Sequence, residues 1–152
     1  MTADAHYQRP GSVTRAAFNP LMMALTRLGV GVRGARILEV RGRRSGQPRQ
    51  NPVNPLTLDG QTYLVAPRGE TEWVRNVRAA NGRLVLILGR RRQEWVATEI
   101  TDLDRKVPIL RGYLKKWKAE AGQFFGGVGP DSSDDELRAI APRHPIFSLT
   151  QA

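Results

Sequence analysis

The apolar positions change period along the chain, and each change marks an element. Behind Asn19 and Pro20, the residues Leu21, Met22, Leu25 and Leu28 recur at helical spacing and stop at Gly29. Proline suits the first position of a helix, where its missing N–H has no partner to lose, so the pattern predicts a short amphipathic helix of about nine residues from Pro20 to Leu28. Residues 1–18 ahead of it show no period and are expected to be irregular or mobile. The ordinary role of such a helix is to pack its apolar stripe as core. Arg15, Arg27 and Arg33 border it, which leaves contact with lipid or with a greasy substrate as the alternative.

Segments with the β-branched and aromatic content of strands follow at Ile37–Arg41, Val53–Leu58, Gln61–Ala66, Arg83–Leu88 and Glu94–Ile100. Asp59-Gly60 between the second and third is a type I′ hairpin signal, because both central residues must accept positive φ. Gly89–Arg92 makes another tight, basic connection, so the last pair is expected to be antiparallel. Between the hairpins, Thr71 is the expected cap of a helix carrying Trp73, Val74, Val77 and Ala80 and ended by Asn81-Gly82. From Pro108 the residues Leu110, Tyr113, Leu114 and Trp117 keep a helical rhythm to about Gly122. A glycine-rich loop spans Gly126–Pro130, Ser133 caps a short helix, and Pro145–Leu149 reads as a terminal edge strand. Strands, one crossing helix, then more strands is the outline of a split β-barrel of the α+β class. A chain of 152 residues is the usual size of one domain, so residues 1–152 are expected to form one.

Composition narrows the chemistry. Cysteine is absent, which removes disulfides, thiolate metal sites and a cysteine nucleophile together. His6 and His144 are the two histidines, too few for a histidine metal cage or a Ser-His-Asp relay. Redox work therefore needs a borrowed cofactor. Lys and Arg number 24 against 14 Asp and Glu, a net charge of +10, so an anionic partner is drawn to the surface. No apolar run reaches the roughly 18 to 20 residues that cross a bilayer, and no export signal is seen. The expected location is the cytoplasm, with membrane association through the Pro20–Leu28 helix as the variant.

The densest charge is Arg41-Gly42-Arg43-Arg44-Ser45-Gly46-Gln47-Pro48-Arg49, between two predicted strands. Four guanidiniums on one connection repel unless an anion or solvent screens them, and arginine forks match phosphate and carboxylate oxygens in paired hydrogen bonds. A solvated basic turn is the competing explanation. Neither a P-loop pattern nor a strand-to-helix G-x-G-x-x-G is present.

Gly42-Arg43-Arg44-Ser45-Gly46 with Arg49 and Pro52, the strand ending Tyr63-Leu64-Val65-Ala66, and Trp73 followed by Asn76 resemble the deazaflavin-dependent nitroreductase family. The resemblance runs from Ile37 to Ile100, with an echo in Pro145-Ile146-Phe147. It implies a split β-barrel like that of FMN-binding proteins, with flanking helices. It also implies coenzyme F420, with FMN as the alternative, as donor of hydride to a quinone, nitroaromatic, activated alkene or unsaturated lipid. Arg43, Arg44, Ser45, Gly46 and Arg49 match the turn that receives the cofactor's phosphate and oligoglutamate tail. Pro52 and Val53 match the strand start along the ring, and Ala66, Pro67, Arg68 and Gly69 the loop bordering ring and phosphate. Trp73 and Asn76 match the helix closing the groove, although a core indole and a turn-holding amide explain these two equally well.

The chain departs from the family at Arg68-Gly69-Glu70-Thr71-Glu72 and Ala80-Asn81-Gly82, where relatives carry a longer Gly-Gly loop and an Asn-Pro. Hydride transfer needs no side-chain nucleophile, and a following proton comes from water or a tyrosine such as Tyr113, whose helical spacing also fits core packing. Alternatives are a non-catalytic lipid or flavin carrier, and a nucleic-acid module using Arg90, Arg91 and Arg92. Aromatic residues make up 7% of the chain and do not alternate with basic ones, which argues against base stacking. Exposed strand edges would favour a homodimer.

Overall fold

The computed structural model describes residues 34–152. The helix predicted at Pro20–Leu28, with Arg15, Arg27 and Arg33, lies outside the described residues. In chain order the elements are β1 (Arg36–Arg41), β2 (Pro48–Val53), β3 (Leu56–Leu58), β4 (Gln61–Val65), α1 (Glu72–Ala79), β5 (Arg83–Leu88), β6 (Arg91–Ile100), α2 (Leu103–Ala121), α3 (Asp134–Ile140) and β7 (Ile146–Gln151). The hydrogen-bonded strand order is β2-β1-β5-β6-β7-β4-β3, and the α+β class expected from the sequence is the one observed. The described chain falls into two compact units, one of residues 34–55, Glu72–Ala97 and Leu149–Ala152, the other of Leu56–Thr71 and Thr98–Ser148.

In the first unit β1 pairs antiparallel with both β2 and β5, and β5 with β6. Successive residues Ile37 and Leu38 are both buried, which marks β1 as covered on two faces. One cover is α1, which packs on β1 through a buried stripe of Trp73, Val74 and Val77. The helix ends at Asn81 and Gly82, at φ 56° and 82°, with the Gly82 N–H donating to the Val77 carbonyl at 2.9 Å. That left-handed exit is the glycine stop expected of Asn81-Gly82.

Three strand boundaries differ from expectation. Val53–Leu58 is two strands, because Pro55 removes a donor and holds Asn54 out of regular pairing. Pro48–Gln50 belongs to β2 rather than to a turn. β2 is an edge, and prolines are tolerated where the N–H would face away from the sheet. Arg91–Gln93 belongs to β6, since Leu88 pairs with Arg91 across a two-residue turn in which Gly89 alone has positive φ. That tight turn sets the register and overrides the polarity of the arginines.

In the second unit, Asp59 and Gly60 join β3 to β4 at φ 51° and 79°, as a type I′ turn requires. Thr71 does not act as a cap: its Oγ1 is buried without a hydrogen-bond partner. α2 begins at Leu103 instead of Pro108, because the Asp102 side chain accepts from the Asp104 N–H at 2.9 Å and starts the helix earlier. Pro108 is exposed, so its missing donor leaves the packed face intact. Trp117 departs from helical geometry at φ −115° and ψ 16° and marks a kink. Ser133 caps α3 as expected, and the structure adds a reciprocal bond from Glu136 that completes a capping box.

β7 is not an edge strand. It lies between β6 and β4, with the Ala66 N–H donating to the Pro145 carbonyl at 2.9 Å and the Ser148 hydroxyl to the Thr98 carbonyl at 3.4 Å. Ile146 and Phe147 are both buried, as two covered faces demand. Among the described residues no helix is long and apolar enough to cross a membrane.

Candidate functional site

The turn between β1 and β2 closes on itself. The Gly42 N–H donates to the Gln47 carbonyl at 2.8 Å and the Gly46 N–H to the Gly42 carbonyl at 2.9 Å. Gly46 sits at φ 73°, and a Cβ on Gly42 would come within 2.9 Å of Ser45 Oγ and 3.2 Å of Arg49 Cγ. Both glycines are thus required by the loop that displays Arg43, Arg44 and Ser45. Ser45 Oγ accepts from the Gln47 N–H at 3.1 Å and from Arg49 Nη2 at 3.4 Å, tying the turn to the start of β2.

The N-terminal half of α1 completes the site. Glu72 and Asn76 are four residues apart and so share one helical face. Asn76 is 5% exposed, and its Oδ1 accepts from both the backbone N–H of Arg43 at 3.1 Å and its Nη1 at 2.8 Å. Arg43 Nη2 also pairs with Glu72 Oε2 at 2.6 Å. The hydrogen bond from Arg43 holds the Glu72 carboxyl below the usual carboxylate range, against a smaller opposing effect of desolvation and with help from the charges of Arg43, Arg44 and Arg75. Glu72 is 68% exposed, so such a pair contributes only about 0–1 kcal/mol.

Together these groups line an open groove of about 590 Å³, with Gly42, Pro48, Gln50 and Asn51 along its walls and Arg43, Arg44, Arg49 and Glu72 as its charges. Among the described residues three guanidiniums face one carboxylate, a surplus that suits an anionic ligand. Of the residues expected to bind cofactor, Arg43, Arg44, Ser45, Arg49 and Asn76 meet here. Gly46, Pro52, Val53 and Trp73 belong to the same unit but do not line the groove. Trp73 is 8% exposed, in line with a core indole. The sequence pattern singles out Asn76 but not Glu72, whose one signal is its four-residue spacing from Asn76.

Ala66, Pro67, Arg68 and Gly69 lie in the second unit, in the loop after β4. Gly69 takes φ 83°, its N–H donates to the Ala66 carbonyl at 3.2 Å and its own carbonyl accepts from the Thr71 N–H at 2.8 Å. The same Ala66 carbonyl lies 3.3 Å from Nδ1 of the buried His144. The Arg68 guanidinium lies 5.9 Å from the centre of the Phe124 ring, within reach of a cation–π attraction. Tyr113 is 1% exposed and packs against Phe125 at a ring separation of 6.0 Å, the core position its helical spacing predicts. Phe125 in turn stacks on His144 at 4.2 Å.

Among curated proteins none matches the chain. Solved structures share its fold. A candidate pyridoxamine 5′-phosphate oxidase from Listeria innocua is 14% identical with a TM-score of 0.52, over 86% of this chain and 93% of that one. A candidate 5-nitroimidazole antibiotic resistance protein from Bacteroides thetaiotaomicron is 14% identical with a TM-score of 0.51, over 77% and 72%. A chain solved as a domain-swapped dimer is 18% identical with a TM-score of 0.51, over 91% and 100%. At these identities the likeness concerns the fold alone, the split β-barrel expected from the sequence. Family membership comes from the sequence itself: the model of the F420H(2)-dependent quinone reductase family matches residues 20–123, more than half the chain and with the whole arginine groove inside it. The chain therefore belongs to the F420H(2)-dependent quinone reductases, a family of reductases whose cofactor is F420.

Proposed function

We propose that the arginine groove holds the phosphate and oligoglutamate end of F420, and that the chain directs hydride from the reduced cofactor to a small organic acceptor: a quinone, nitroaromatic, activated alkene or unsaturated lipid. The observation that carries this is the fixed Arg43, bonded at both backbone and guanidinium to Asn76, with Arg44 and Arg49 beside it in one groove. Restraining a cation before the ligand arrives reduces the ordering cost of binding. Ser45 adds a hydroxyl to the same anion-binding turn.

When bound, reduced F420 supplies the hydride; the chain supplies binding and orientation. Contact with the ring is proposed for Pro52 and Val53, supported by the match of these positions to the family's pattern. The proton that follows is assigned to water or to the Tyr113 hydroxyl. Tyr113→Phe separates them, since unchanged turnover assigns it to water.

Spectroscopic titration with F420 tests the binding claim. Saturable binding is expected, weakened at least tenfold when Arg43 and Arg49 are both replaced by alanine; absence of binding overturns it. Oxidation of F420H2 with a naphthoquinone as acceptor tests the reaction, and binding without turnover would make the chain a carrier. A homodimer is also proposed, supported by the domain-swapped relative, and light scattering checks it.

A further inference from the structure

We infer that Glu72 is the groove's resident anion: it neutralises Arg43 while the groove is empty and must yield to a multiply charged ligand, so that it selects against single carboxylates and other monoanions. The inference rests on the groove being the cofactor's anion site.

Two partners share the Arg43 head, and they are not equivalent. Asn76 is buried and binds both the backbone and the side chain of Arg43. It anchors the residue. Glu72 is 68% exposed on the first turn of α1, pairs with the second guanidinium nitrogen, and carries the one negative charge lining the groove among the described residues. It is the partner that can leave without disturbing the turn. A monoanion entering the groove offers Arg43 only what Glu72 already supplies, less the advantage of being tethered. A phosphate dianion or a linked pair of anionic groups can engage Arg43, Arg44 and Arg49 together, and paired charge-assisted bonds exceed the single exposed contact they replace. Glu72 therefore sets a threshold of ligand charge.

Titration calorimetry with inorganic pyrophosphate and with acetate, on wild type and on Glu72→Gln, tests this without turnover. Pyrophosphate is expected to bind Glu72→Gln about three- to fivefold more tightly, the size of an exposed charge pair. The gain should shrink as salt is raised, and acetate should become a better competitor of pyrophosphate. The gain should vanish in an Arg43→Ala background, a coupling that a purely structural role of Glu72 would not produce. Glu72→Asp keeps the charge but shortens the reach, and should fall between wild type and Glu72→Gln. Unchanged or weaker pyrophosphate binding by Glu72→Gln overturns the inference. Expected pyrophosphate behaviour with no F420 binding leaves Glu72's role intact and removes only the cofactor assignment to this groove; F420 binding with pyrophosphate bound by neither protein overturns the inference and leaves that assignment standing.

Discussion

One oxygen of Asn76 holds both ends of Arg43, its backbone N–H at 3.1 Å and its guanidinium at 2.8 Å. The pair joins the β1–β2 turn to α1, 33 residues later in the chain, and makes the conformation of the turn depend on the helix. Removing the acceptor leaves a guanidinium and a backbone donor to find water inside a partly buried cleft. Asn76→Ala is expected to destabilise the protein by about 1–3 kcal/mol, the usual cost of losing a hydrogen bond to a charged group, and to weaken F420 binding in parallel. Asn76→Asp keeps an acceptor and should recover most of the stability, but not the F420 binding, because it adds a negative charge to the groove. Urea unfolding and F420 titration of the two variants check this.

Gly82 and Gly60 have nearly the same φ, 82° and 79°, but different surroundings. A Cβ on Gly82 would lie 2.1 Å from the Ala97 carbonyl oxygen, whereas nothing stands within 4 Å of one on Gly60. Gly60→Ala should cost only the left-handed backbone penalty of about 1–2 kcal/mol. Gly82→Ala should cost clearly more, since the Ala97 N–H also bonds the Gly82 carbonyl at 2.8 Å and the two strands would have to separate. Thermal unfolding of the pair measures the difference.

Acid should destabilise the fold through Glu39 as well as Glu72. Burial alone would raise the Glu39 pKa, but hydrogen bonds from Gln50 and Arg92 and the charge of Arg92 outweigh it and hold the carboxyl below its ordinary range. A carboxyl with a depressed folded pKa binds fewer protons folded than unfolded, so its stabilisation is complete above the unfolded value of about 4.3 and is lost as pH falls through the folded one. Stability should therefore drop below about pH 4. Glu39→Gln should flatten that decline, and salt should weaken the exposed Glu72 contribution first. Urea midpoints measured from pH 3 to pH 7 provide the check.

The 152-residue chain is proposed to unfold as one domain. Trp73 and Trp95 belong to the first compact unit and Trp117 to the second, so single-tryptophan variants report on each separately. Coincident fluorescence transitions in urea are expected; transitions separated in midpoint would show two independently folding parts.

Local chemistry was legible wherever one residue type satisfies the need. Asp59-Gly60, Asn81-Gly82 and the Ser133 cap all stand as their sequences predict, because positive φ and an orphan N–H are requirements that few neighbours can alter. Strand identity was less legible where prolines or arginines sat at an edge. Pro48 and Arg91 look like turn residues until the register shows that their backbones have partners or need none.

By itself the sequence determined the turns and helix stops that need a particular residue type, the crowding of guanidiniums between two strands, and the family to which that turn belongs, since these depend on side-chain type and on spacing within a few residues. It could not decide that Glu72 and Asn76 share Arg43, that Thr71 leaves its hydroxyl unbonded, or that β7 lies inside the sheet. Each of these depends on which distant segment arrives alongside, and pairing across long loops is set by the packing of the whole chain, whose free energy no short window of residues contains.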